Sequence, residues 1–257
     1  MRLVYGIPLI CLALIISPSR ALAQREAHIV ETSAQAVAEM VRDPERGIPP
    51  ALLRKAQGVI IFPNLVRGGF IFGARHGRGI VVVRDPEGRW SNPFFITSTG
   101  GSFGLQAGVD SSELLLVFRE RRTIDRFLLG QNKLTFGVDA SLAAGPVGRG
   151  VGADTDPQFR ADILTYSRTR GLYAGAVING VVARVDQHAN WSFYGDTYTP
   201  SEIMTGVDGM MIPASVTRLK RVLDIPARSR PDDPGPPSDE PVIIEPLPDP
   251  EQPNPPA

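Results

Sequence analysis

Only one cysteine occurs among the 257 residues, Cys11, so no disulfide can form within the chain and its fold must rest on packing. Net charge is lacking too. The 27 Lys plus Arg balance 27 Asp plus Glu, which removes the global basic field that draws proteins to nucleic acid. Three histidines, His28, His76 and His188, are too few and too scattered for a zinc site legible in sequence, and no metal or other cofactor is expected. The leading apolar run, Leu9 to Ile16, falls short of the roughly 20 residues that a membrane-spanning helix needs.

That run follows Arg2 and precedes Ala21-Leu22-Ala23, the pattern of a secretory leader with a small-residue cleavage site. Residues 1–23 are therefore read as a signal peptide, with the mature chain starting at Gln24. Cys11 lies inside the apolar core of this leader rather than after it, which argues against lipid attachment. At the other end, residues 227–257 hold 11 of the 24 prolines and seven acidic residues against Arg228 and Arg230. Such spacing favours extended, polyproline-like conformers, so the segment is read as a disordered, semi-rigid acidic tail. Residues 24–226 remain as one domain, mildly basic with 23 basic against 20 acidic residues.

Within the domain, apolar residues recur at helical spacing from Arg25 to Val41 and leave Glu26, Glu31, Gln35 and Arg42 on the other side. The glutamates on that polar face favour docking on the core over insertion in a membrane interface. Pro50 to Ala56 reads as a second, short helix. From Val59 the pattern changes to short β-rich runs: Val59–Phe62, Gly69–Ala74, Gly79–Arg84, Phe94–Thr97, Ser102–Val109 and Leu114–Phe118. His76-Gly77, Glu87-Gly88 and Asp110-Ser111 are read as their turns. Arg121 to Leu129 is predicted helical, Leu134–Ala140 and Ile163–Arg168 extended, and Leu172–Asp186 a hairpin turning at Asn179-Gly180. Thr199-Pro200-Ser201-Glu202 has the form of a capping box, and Pro213 to Leu223 reads as a closing helix. The fold class is α+β: a strongly bent, mainly antiparallel sheet, approaching a barrel, flanked by N- and C-terminal helices. A transmembrane barrel is disfavoured because helices interrupt the strands.

Chemical motifs are sparse. Gly100-Gly101-Ser102-Phe103-Gly104 fits the G-x-S-x-G of serine hydrolases, with His188 as the one downstream histidine, yet Leu105 to Gly108 read as strand rather than the helix that such an elbow requires. Gly148-Arg149-Gly150-Val151-Gly152-Ala153 loosely fits a dinucleotide fingerprint but lacks its helix. Asp154, Asp156 and Asp162 lack the twelve-residue calcium pattern. No catalytic residues are assigned. What stands out is arginine at sheet edges, in two groups: Arg67, Arg75 and Arg78, and Arg119, Arg121, Arg122 and Arg126. In a strand Arg119 and Arg121 share a face, and in the following helix Arg122 and Arg126 are i, i+4 neighbours, a spacing suited to gripping one anionic headgroup.

A series of short motifs runs from Ala56-Gln57-Gly58-Val59-Ile60-Ile61-Phe62-Pro63 through Trp90-Ser91-Asn92-Pro93-Phe94-Phe95-Ile96 and Gly101-Ser102-Phe103-Gly104-Leu105-Gln106-Ala107-Gly108. It continues in Ala143-Ala144-Gly145-Pro146-Val147-Gly148-Arg149, Tyr166-Ser167-Arg168 and Gly171-Leu172-Tyr173-Ala174-Gly175, and ends at Asn190 with Tyr194-Gly195, covering roughly Leu53 to Leu223. In this order the motifs resemble the SYLF domain family, the Ysc84-type domain of yeast actin-patch proteins. The resemblance implies a non-catalytic module that binds lipid, phosphoinositides in eukaryotic members, and actin in some. For a chain with a bacterial-type leader the expected partner becomes anionic phospholipid or another envelope amphiphile, with no actin and no nucleic acid. Its expected location is periplasmic or extracellular, at a membrane surface. The alternatives are a serine hydrolase using Ser102 and an envelope scaffold acting through its Pro-rich tail.

Overall fold

The computed structural model describes residues 18–43, 47–69, 72–103, 108–129, 133–136, 139, 141–145, 161–169, 172–174 and 181–228. The leader's apolar run, the Asn179-Gly180 turn, the Gly148–Ala153 motif, Asp154, Asp156 and most of the tail lie outside them. Six helices lie among the described residues: α1 (Pro18–Arg42), α2 (Pro50–Lys55), α3 (Arg121–Leu129), α4 (Gln187–Tyr194), α5 (Pro200–Thr205) and α6 (Ala214–Arg228). Nine strands among them form one sheet: β1 (Gly58–Gly69), β2 (Phe72–Val83), β3 (Phe94–Phe103), β4 (Gly108–Phe118), β5 (Lys133–Thr135), β6 (Leu142–Ala144), β7 (Ile163–Thr169), β8 (Leu172–Ala174) and β9 (Val182–Val185).

The sheet runs β5-β9-β3-β2-β1-β4-β7-β6 and curls strongly into a half-barrel, with helices from both ends of the domain packed on it. The pairings of these strands are antiparallel except that of β6 with β7. Along β7 the outer edge is shared, β6 pairing at Ile163–Thr165 and β8 at Ser167–Thr169.

Consecutive residues are buried in the central strands, Val59 to Phe62, Ile80 to Val83, Phe94 to Ile96 and Leu114 to Phe118, so the sheet is covered on both faces there. Phe94 and its neighbour Phe95 show which helices do the covering. Side chains alternate across a strand; the Phe94 ring meets Phe127 of α3 at 6.1 Å, while Phe95 meets Phe193 of α4 edge-on at 5.1 Å. α1 lies over β1 and β2 and packs against α4 and α6. Its apolar stripe Val30, Ala34, Val37 and Met40 is fully buried, as the helical spacing predicts.

Four central strands are longer than the apolar runs that announce them. His76-Gly77 and Asp110-Ser111, expected as turns, lie inside β2 and β4, paired with Leu65, Val66 and Arg67 of β1. Their polar and glycine-rich sequence reflects exposure, not chain reversal: Asn64, Val66, Ala74, His76 and Ser111 all face solvent. The turn expected at Glu87-Gly88 is present, with Gly88 at φ 80°. α1 starts at Pro18, seven residues before the expected helix, because Ala21, Leu22, Ala23 and Gln24 favour helix. α6 carries Pro226 and ends at Arg228, five residues past the helix and two past the domain boundary read from sequence. The expected capping box at Thr199 and Glu202 is fully formed.

A bulge divides the buried half of the sheet from its exposed half. Ile61 pairs with Ile80 and Asn64 with Arg78, and on the other side Phe62 pairs with Leu114 and Leu65 with Ser112, so β1 carries one extra residue against both neighbours. Pro63 sits there. It has no N–H for a ladder bond, which places proline at such irregularities.

Candidate functional site

Where β1 bulges, the N-terminal half of α1 and the exposed ends of the strands enclose an open groove of about 760 Å³. Arg25, His28 and Ile29 line it from α1, Pro63 and Val66 from β1, His76 and Arg78 from β2, Ser112 and Glu113 from β4, and Arg168 from β7. Its volume is that of a small-molecule site, and its wall mixes cations, hydroxyls and apolar surface.

Two of its arginines are committed to holding α1. Arg78 donates from Nη2 to Glu26 Oε1 at 2.6 Å, and from Nε and Nη2 to Asp186 Oδ2 at 3.3 and 3.2 Å. The Glu26 side chain is 2% exposed and Arg78 18%, so Glu26, expected on the solvent side of its helix, is a buried partner instead. Burial opposes the Arg78 charge, but Glu26 and Asp186 outweigh it and raise its proton affinity. Burial likewise opposes the Asp186 carboxylate; the Ala189 N–H, the Thr97 hydroxyl and Arg78 together hold its pKa below the usual value. Asp186 is also the N-cap of α4, accepting from Ala189 N at 3.0 Å. One guanidinium thus ties α1 to β2 and to the start of α4.

Arg168 does the same further along. It binds Glu113 in a bidentate pair at 2.7 and 2.6 Å and pairs with Glu39 of α1. The Glu113 hydrogen bonds dominate in raising its pKa against burial. With these two clamps neutralised by carboxylates, the groove's remaining basic groups are Arg25, His28 and His76.

The other expected anion-binding residues are brought only partly together. Arg67 and Arg75 face each other across β1 and β2, and Arg67 also stands opposite Asp110 of β4. Arg119, Arg121, Arg122 and Arg126 are exposed where β4 gives way to α3, but their partners diverge. Arg121 donates to Asp125 at 2.9 Å and to the Arg84 carbonyl at 2.6 Å, Arg122 pairs with Glu120, and Arg126 donates to the Asp139 carbonyl at 3.2 Å. They form a basic ridge rather than a single cradle.

Ser102 lies inside β3, its backbone in register with Gly73 of β2. A nucleophile elbow needs a sharp turn from strand to helix, and β3 has none at this point. His188 is exposed on α4, edge-on to Trp191 at 5.8 Å. Asp162 accepts from the Ser141 N–H and hydroxyl at 3.0 and 2.6 Å, bonds that lower its pKa. Among the described residues no group of three or more His, Cys, Asp or Glu could hold a metal ion, and no helix is long and apolar enough to cross a membrane.

The Ysc84 family profile, described as "Las17-binding protein actin regulator", matches residues 99–225. The domain belongs to the Ysc84 family. It is 35% identical over 182 residues to "SH3 domain-containing YSC84-like protein 1" of Xenopus laevis, which is 70% of this chain and 53% of that protein. Against the human protein of the same name identity is 33% over 181 residues, 70% of this chain and 52% of that one. "Protein YSC84" of Saccharomyces cerevisiae is 30% identical over 179 residues, 69% of this chain and 37% of that protein. The chain spans about half the length of these vertebrate relatives. No solved structure matches.

The span matched to the Ysc84 profile starts at Thr99 in the middle of β3 and stops within α6, so the Arg78 clamp joins α1 and β2, outside the span, to Asp186 within it. α4 carries a second structural residue that periodicity did not reveal. Asn190 is buried and its Oδ1 accepts the Phe95 N–H at 2.7 Å, fixing the helix to β3. Asp186 as N-cap and Gly195 as a left-handed C-cap were the available sequence signals for this short helix. Replacing Asn190 by alanine leaves the buried Phe95 N–H without its partner. The expected loss is about 1–3 kcal/mol, measured by denaturant unfolding.

Proposed function

We propose that this Ysc84-family domain is a non-catalytic binding module, exported from a bacterial cytoplasm, that contacts anionic phospholipid or another envelope amphiphile at a membrane surface. The observation that carries the reading is the basic ridge from Arg119 to Arg126, whose Arg121 and Arg122 side chains are 42% and 71% exposed at one end of the sheet. Each cationic side chain near an anionic surface contributes on the order of 1 kcal/mol, screened over about 8 Å at physiological salt. The leader-like residues 1–23 support export, and a processed chain would begin at Gln24, inside α1.

Changing Arg119, Arg121, Arg122 and Arg126 together to Gln is expected to weaken co-sedimentation with phosphatidylglycerol vesicles markedly and to flatten its dependence on salt. Thermal stability should change little. A folded quadruple variant that pellets as well as the parent would remove the ridge from the proposal. Release from membranes by high-salt and carbonate washing is the behaviour expected of such a peripheral protein.

A second reading rests on the family description, which names an actin regulator that binds Las17. Here the domain would bind a protein partner instead of a bilayer. Pelleting with filamentous actin while vesicles are ignored would favour it.

A further inference from the structure

We propose that the groove beneath α1 is a ligand site of its own, for a single-chain amphiphile with a phosphate- or sulfate-like oxyanion head. It is distinct from the ridge at α3 and stands whether or not that ridge meets a membrane. Arg25 is exposed and has no ion-pair partner among the described residues, whereas Arg78 and Arg168 beside it are each held by carboxylates. His28 projects from the same helix, and His76 lines the groove from β2. These three supply donors for an oxyanion.

The apolar part of the ligand has its own surface. Val66 is 40% exposed in the middle of a strand, and it lines the groove with Ile29 and Pro63. The bulge at Pro63 is what makes this possible, because it shifts β1 relative to both neighbours beneath the helix. Cations on one part of the wall and aliphatic carbon on another match the two ends of a short amphiphile.

The acids that face these donors are engaged elsewhere: Glu26 and Asp186 with Arg78, and Glu113 and Glu39 with Arg168.

Calorimetric titration of the full chain with n-hexyl sulfate tests this, and binding is expected. Arg25→Gln should weaken it about tenfold, as for loss of one charge-assisted hydrogen bond. His28→Gln with His76→Gln should likewise weaken it while the unfolding transition stays in place. The variant with Gln at Arg119, Arg121, Arg122 and Arg126 should bind n-hexyl sulfate as the parent does, which separates failure of this site from failure of the ridge. n-Hexyl phosphate and phosphatidylcholine vesicles doped with phosphatidate distinguish a free ligand from a lipid headgroup; loss of binding to either in the double-histidine variant supports the site. Absence of binding to both alkyl probes and to the vesicles, inorganic phosphate binding as tightly as n-hexyl phosphate, or parental affinity for n-hexyl sulfate in both the Arg25 variant and the double-histidine variant would overturn the proposal.

Discussion

Replacing Arg78 by methionine is expected to lower the unfolding free energy by about 3–5 kcal/mol at neutral pH, the range for removing one member of a buried ion pair. The reason is what remains. Glu26 keeps its place under α1 with a second oxygen that already lacks a hydrogen-bond partner, and Asp186 keeps a charge offset by only the Thr97 hydroxyl and the Ala189 N–H. Methionine retains most of the aliphatic packing, so the loss reports charge rather than volume. In the parent, the Asp186 pKa lies below its unfolded value. Its stabilising contribution is therefore complete above the ordinary carboxylate pKa of about 4 and disappears as pH falls through the lower, folded value. Acidification should accordingly destabilise the parent more than the variant, and the gap between their urea midpoints should narrow. A deficit within the roughly 0–1 kcal/mol of an exposed pair would show that the clamp is solvated.

Gly79→Val is expected to cost about 3 kcal/mol or more, at or beyond the upper end for overpacked cores. A Cβ at Gly79 would stand 2.4 Å from the Ile61 carbonyl oxygen and 2.6 Å from Phe62 Cδ1. Both neighbours belong to β1 immediately before its bulge, where neither backbone nor buried ring can withdraw. Circular dichroism should show early melting of the whole domain, because the displaced strand is central to the sheet. A control is at hand in Gly101, whose Cβ would meet nothing within 4 Å; Gly101→Ala should melt as the parent does.

Sequence and structure agree where hydrophobic pattern carries information. The helix faces of α1 and α6, the capping box at Thr199 and the β1–β4 strand cores were legible, because burial there follows a regular period. The outer halves of the same strands were not. His76-Gly77 has the composition of a turn, and only its long-range pairing with β1 reveals a strand. The two arginine groups were visible as local density, but which guanidinium is already neutralised depends on partners 52 and 108 residues away for Arg78. Nothing near Arg78 in sequence marks it as a clamp, nor does helical periodicity mark Glu26 as buried. The groove, made by a bulge under a helix from elsewhere in the chain, has no local signature at all.

The position of α1 also bears on how the chain reaches its native state. Its partners α4 and α6, together with Asp186, come from the last third of the described residues, and β9 joins the sheet beside β3 only after some eighty intervening residues. Contacts of such sequence separation make folding slow, since loop closure precedes the gain from pairing. The helix that is synthesised first is thus among the last elements to find its seat. A chain emerging N-terminus first brings the Val30, Ala34, Val37 and Met40 stripe together with β1 and β2 early, but the seat of this helix is completed only when α4 and α6 have appeared.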